Sequence, residues 1–225
     1  MCVKYKVPIV ITSLRPPVEV VAAVHGYGGV VFHDVINIRH ARKAIDQGVD
    51  GIITVCAGAG EHAGTTSPFA LVKEVREIFD GTIILSGSMS RGNDALAAQA
   101  MGADLAYLGT RFIATKEANA PSAYKEMIVD SAAADIVYTN LFTGVHGSYL
   151  KGSISNAGLD PDDLPEGELR TMNFGGGGIT KAKAWRDIWG GGQGVGTIDD
   201  IPSVADLVDR MEAEYRDAAT RLCAS

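Results

Sequence analysis

Strand and helix patterns alternate along the first half of the chain and predict an α/β fold with parallel strands. Three observations carry this. Apolar, β-branched runs begin near residues 7, 30, 51, 82 and 105, so the steps are 23, 21, 31 and 23 residues. Helical patterns with apolar positions three to four apart fill the intervals. The strand runs are apolar throughout rather than alternating, as expected of parallel strands covered on both faces. Steps of this length imply right-handed crossovers between parallel neighbours.

Taken in order, the strands are Val7–Thr12 "VPIVIT", Val30–His33 "VVFH", Gly51–Cys56 "GIITVC", Thr82–Leu85 "TIIL" and Leu105–Leu108 "LAYL". Between them lie the helical segments "PVEVVAAVHGYG", "IRHARKAIDQGVD", "SPFALVKEVREIF" and "NDALAAQAMGAD". Three of these close on a glycine suited to a helix C-terminus: Gly26, Gly48 and Gly102. After Phe112 the alternation stops. "EANAPSAYKEMIVDSAAADIVY" reads as helix, "LDPDDLPEGEL" as an acidic loop, and "IPSVADLVDRMEAEYRDAATRL" as a long closing helix. The glycine-rich segment "FGGGGITKAKAWRDIWGGGQGVG" sits between the last two, and no clean internal repeat is evident.

Composition narrows the function. With 225 residues, 46% of them hydrophobic, the chain can bury a core. A net charge of −7 argues against nucleic acid or an anionic membrane as partner. Cys2, Cys56 and Cys223 have neither disulfide nor metal spacing, and an odd count suits a reducing compartment. The opening "MCVKYKVPIV" is too short and polar for a signal peptide, and no apolar run reaches the ~18 residues of a membrane helix, so a cytoplasmic location is expected.

In parallel α/β folds, ligands bind on the loops that follow strand C-termini. Three such loops are unusual here: "GAGEHAGT" (58–65), "SGSMSRG" (86–92) and "GTRF" (109–112). The last two are one βα unit apart and set glycine beside Ser or Thr, the composition of a phosphate cradle made from backbone N–H groups. Either alone is an ordinary turn; the pair is the signal. In the first loop small residues leave the backbone open to a flat ligand, and His62 supplies an imidazole able to accept a proton near neutrality. His25, His40 and His146 sit in helix or tail contexts without such a loop. No strand is followed by G-x-G-x-x-G, which disfavours a doubly wound dinucleotide fold.

At these residues the chain resembles the nitronate monooxygenase (2-nitropropane dioxygenase) family. The signatures are "HDVINIRHARKAIDQGVDGI", "CAGAGEHAGTTSPFALVKEV", "SGS", "ALAAQAMGADLAYLGTRFIATKEANA" and "AKAWRDIWGGGQGVGTIDD", running from about Val7 to Leu222. The resemblance implies an FMN-containing (β/α)8 barrel with a small helical second domain, which oxidises alkyl nitronates with O2 to a carbonyl compound and nitrite. Carried over by position, His62 matches the active-site histidine. Ser86, Gly87 and Ser88 match the phosphate loop, and Leu108, Gly109 and Thr110 its partner loop. Gly60 matches a backbone position against the flavin, and Gln193 lies where the tail returns to the cofactor. The implied organisation is a partial FMN-binding barrel over 1–115, a helical insert over 116–190, and a return to the barrel with a closing helix over 191–225. A homo-oligomer fits the same resemblance.

Departures from the family pattern set further expectations. Ser88 replaces the second glycine of the phosphate loop. Glu61 stands where a glycine normally precedes the histidine, and a carboxylate there is expected to raise the imidazole pKa. Asp34 stands where some relatives carry a flavin-facing lysine. The sequence matches strands four to eight, so the five-stranded arc is expected to have open edges and a partly bare inward face. Within the same resemblance, an NAD(P)H:quinone or enoyl reductase is the alternative activity, and an inactive barrel fragment the alternative of another class.

Overall fold

The computed structural model describes residues 1–167 and 186–224. They form two compact units: residues 1–57, 65–86 and 95–107 in the first, residues 58–64, 87–94 and 108 onward in the second. The glycines at 175–178 and the rest of 168–185, within the expected insert over 116–190, lie outside the described residues.

The chain opens with α1 (Cys2–Tyr5), β1 (Ile9–Thr12), α2 (Val18–His25), β2 (Val30–Val35), α3 (Ile38–Asp46) and β3 (Gly51–Val55). β4 (Glu61–His62) belongs to the second unit, after which come α4 (Pro68–Arg76), β5 (Thr82–Ser86), α5 (Gly92–Ala100) and β6 (Leu105–Tyr107). The first unit's sheet is wholly parallel, ordered β1-β2-β3-β5-β6. All five expected strands are present, and the fold is α/β of the (β/α)8 barrel type.

Burial follows position in the sheet. β3 is buried at every residue and β5 at its three central ones, against Leu71, Val72 and Val75 of α4 and other apolar side chains of the first unit. At the edges the expected two-sided burial fails. β1 and β6 each have one neighbour, and Ile9, Ile11, Leu105 and Tyr107 are 52%, 47%, 52% and 47% exposed. Their registers place all four on the same sheet face as Ile53 and Ile84. An apolar strand run is two-sided only where both faces find a cover, and the outer strands do not.

One device recurs in the first unit. Gly48 and Gly102 take positive φ after α3 and α5, and each is followed two residues later by an aspartate. Asp50 accepts from the Val31 amide at 2.7 Å, and Asp104 from the Ile83 amide at 2.8 Å. Each carboxylate therefore pins the start of one strand to its neighbour, a repeat that the sequence reading did not resolve. Gly26 caps the C-terminus of α2 as expected, at φ −58°, and the left-handed glycine after that helix is Gly28.

In the second unit, α6 (Thr110–Ile113), α7 (Ser122–Asp130), β7 (Ile136–Thr139), β8 (Gly147–Leu150), α8 (Lys151–Asn156) and α9 (Val204–Cys223) follow, with 3₁₀ turns at Ala133–Asp135 and Gln193–Thr197. The helix expected across 117–138 is confined to α7. Its β-branched end, Ile136–Val137–Tyr138–Thr139, is instead a strand in an antiparallel sheet ordered β4-β8-β7. The core gathers Ala114, Ile128, Leu150, Val195 and Ile198, with Tyr124 stacked on Trp189 at 5.0 Å. Arg111, 2% exposed, pairs with Asp200, which also holds Arg210. Among the described residues no helix is long and apolar enough to cross a membrane.

Candidate active site

Three segments of the second unit leave the C-terminal ends of parallel strands: residues 58–64 after β3, 87–94 after β5, and Leu108 onward after β6. β5 and β6 stay paired to their last residues, Ser86 opposite Tyr107. The turns Gly87–Ser88 and Leu108–Gly109 therefore begin side by side.

Both turns are built for backbone exposure. Gly87 has φ 142° and Ser88 φ 55°, so a non-glycine residue holds a left-handed conformation here. Gly109 precedes α6, and a Cβ there would meet nothing within 4 Å. Among the described residues the amides of Gly87, Ser88 and Gly109 donate to no protein acceptor. Unsatisfied amides on adjoining turns are the donor set that an anionic oxygen cluster requires.

The 58–60 loop and the 192–194 turn complete the group. Gln193 N donates to Gly58 O at 2.8 Å, and Gly192 N donates to Thr110 Oγ1 at 3.0 Å. A side chain at Gly58, itself at φ 81°, would collide with Ser88 Oγ and come within 2.8 Å of Gln193 Oε1. A Cβ at Gly60 would lie 3.0 Å from both Gly192 N and Thr110 Oγ1. Glycine suits both places, at Gly58 for its left-handed φ and at Gly60 because loop packs closely on loop. Gly60, Gly87, Ser88, Gly109, Thr110 and Gln193 are thus brought together. Leu108 is there by chain connection alone. Ser86 closes the first unit, its carbonyl accepting from Cys56 N at 2.9 Å.

His62 lies on β4, paired through Gly147 to β8. Its Nε2 is 3.0 Å from Thr143 Oγ1. Burial pushes its pKa below the ordinary imidazole value, favouring the neutral ring. The expected upward push from Glu61 is absent: burial is the cause of the shift at the ring, and it acts downward. Glu61, at φ 58°, is exposed as a residue while its carboxyl is crowded enough for burial to raise its pKa. Nearby, burial raises the Tyr149 phenol to about 12, so it stays protonated. Cys56, buried with its thiol pushed to about 11, is unsuited to nucleophilic work.

Thr143 and Tyr149 were not found from the sequence. Thr143 reaches His62 through antiparallel pairing across some eighty residues, Tyr149 lies against Thr143, and no local motif marks either.

The chain matches the nitronate monooxygenase family over residues 1–214. It belongs to that family. It is 25% identical to a nitronate monooxygenase of Neurospora crassa, covering 91% of this chain and 58% of that one. With a nitronate monooxygenase of Paraburkholderia phytofirmans it shares 26% identity over 92% and 60% of the two chains. This nitronate monooxygenase family member thus spans about three fifths of the length of those relatives. Among solved structures, a FabK mutant from Thermotoga maritima superposes with TM-score 0.79 at 25% identity, over 99% of this chain and 71% of that one. A nitroalkane oxidase from Streptomyces ansochromogenes superposes with TM-score 0.74 at 24% identity, over 98% and 67%.

Proposed function

We propose that the chain holds FMN on the turns after β5 and β6 and oxidises alkyl nitronates or nitroalkanes with O2 to a carbonyl compound and nitrite. The observation that carries this reading is the pair of adjoining turns whose amides lack protein acceptors, in the same unit as a half-buried neutral histidine. The residues present fit the cofactor. Amides of Gly87, Ser88 and Gly109 suit a terminal phosphate, with Ser86, Leu108 and Thr110 framing the turns. Gly60 and Gln193 line the small-residue loop that suits a flat ring. Bound there, FMN would supply the electron acceptor for the nitronate and the donor for O2.

His62 then receives the proton from the α-carbon of a nitroalkane, or donates a hydrogen bond to a nitronate oxygen. A lowered pKa keeps the ring able to accept a proton at neutral pH. The test is the flavin-to-protein ratio of the purified chain, followed by nitronate-dependent O2 uptake and nitrite release without nicotinamide. A ratio near zero removes the cofactor assignment. Flavin with nicotinamide oxidation but no nitrite assigns the reductase alternative instead.

A further inference from the structure

A cavity walled by arginines lies within the second unit, between the Ser90–Arg91 segment, α6, the turn at Thr197 and α9. Its volume is about 230 Å³, and Arg91, Arg111 and Arg210 all line it. None of Gly87, Ser88 and Gly109 does. The backbone beneath Arg91 is fixed, because Asp94 Oδ2 accepts from the amides of Ser90 and Arg91 at 2.8 and 2.9 Å. The side chain of Arg91 is held loosely, its Nη2 donating to Thr197 O at 3.4 Å.

Arg111 is the decisive group. Its side chain is 3% exposed, and its hydrogen bonds leave through Nη2, to Ala114 O, Asp200 O and Asp200 Oδ1 at 3.1 to 3.2 Å. Nε is buried and donates to no acceptor among the described residues. A guanidinium carries five N–H donors, and a buried donor left without an acceptor is costly. The carboxylate beside it is shared: Asp200 also takes Arg210, at 2.8 and 3.0 Å. Two cations thus divide one anion. Burial, together with Arg210, outweighs the support from Asp200 and holds the Arg111 pKa below the usual guanidinium value. Two further carboxylates line the cavity without redressing this. Glu214 Oε2 is engaged by Gly92 N at 2.7 Å, and Asp199, its side chain 76% exposed, stands 4.0 Å from Arg91 where water screens it.

We propose that this cavity binds an oxoanion of phosphate size, held by Arg91, Arg111 and Arg210. Guanidinium forks match the oxygen geometry of a phosphate group. The hydroxyls of Ser90 and Thr197, bonded to each other at the wall, add polar partners. The volume is several times the roughly 30 Å³ of one water, so a tetrahedral anion fits. Its charge would complete what Asp200 divides, and its occupancy would tie the segment after the Gly87–Ser88 turn to α9. Neither flavin nor nitronate chemistry is needed for it.

The experiment is calorimetric titration of the full chain with inorganic phosphate, in wild type, Arg91→Gln and Ser88→Glu. Ionic strength is held fixed so that general screening does not vary. Wild type should bind phosphate saturably. Arg91→Gln should weaken that binding about tenfold or more, the scale of one hydrogen bond to a charged group. Ser88→Glu, which blocks the glycine turns, should keep it. No saturable binding in wild type overturns the proposal, and so does equal affinity in Arg91→Gln. Loss in Ser88→Glu with retention in Arg91→Gln would place the anion on the glycine turns and overturn it as well. Should Arg91→Gln fail to fold, Arg91→Lys removes the fork while keeping the charge, and equal affinity there is as decisive.

Discussion

At His62, chain pairing and burial act together: β4 fixes the residue beside Gly147, and desolvation keeps the ring neutral. Replacing it tests the chemistry directly. His62→Asn should lower nitronate or nitroalkane turnover about 10²-fold or more, the scale of a positioned base, with flavin content unchanged. Equal turnover would remove His62 from the mechanism. Ser88 makes a second test, because its left-handed φ leaves the backbone rather than the hydroxyl as the feature of interest. Ser88→Gly relieves about 1 kcal/mol of strain, roughly offset by the larger entropy of an unfolded glycine. Melting temperature and flavin retention should both hold. Ser88→Glu should lose flavin by setting a carboxylate against phosphate. Flavin loss in Ser88→Gly would mean that the hydroxyl, not the amide, is the donor. His62 and the two glycine turns were legible in the sequence because loop composition marks them. Thr143 was not, since its contact with His62 exists only across a strand pair.

Among the elements, the Gly-x-Asp brackets before β3 and β6 set strand order at its N-terminal ends. Asp104 takes the Ile83 amide and the Arg76 guanidinium, and that amide first, then Arg76, holds its pKa below the usual carboxylate range. The side chain is half exposed, so solvent screens much of the interaction. Asp104→Ala should cost about 1 kcal/mol, the scale of one net hydrogen bond, read in a urea titration at neutral pH. A depressed carboxylate stabilises above its unfolded pKa and loses that contribution on acidification, so wild type and variant should converge as pH falls toward the carboxylate range. A constant gap would assign the effect to packing instead. The five parallel strands were readable from apolar runs and spacing. β7 was read as the end of a helix: the alanine-rich stretch before it carries helical propensity, and only pairing with β8 draws Ile136–Thr139 into a sheet.

Over the whole molecule, buried histidines set the response to acid. Burial holds His33, His40 and His62 below the ordinary value of 6.5. Below 6.5 the unfolded chain therefore binds protons that the folded chain does not. Stability is complete above that pH and falls as pH drops through the window down to the folded values. Thermal melts at about pH 7.5 and 5.5 should show a Tm lower by several degrees at the acid end. An equal or higher Tm in acid would contradict the burial of these rings. Asp34 and Glu61 act in the opposite sense, their carboxyls raised by burial, and soften the effect.

By itself the sequence determined the five strands of the parallel sheet, their parallel pairing, the two glycine turns and the histidine loop, because periodicity and backbone permissiveness are local properties. Tertiary structure alone decided which apolar faces are covered, that Ile136–Thr139 is a strand, and that Thr143 meets His62. Each of these depends on a neighbour distant in the chain, and a residue's own chemistry does not specify which neighbour that will be.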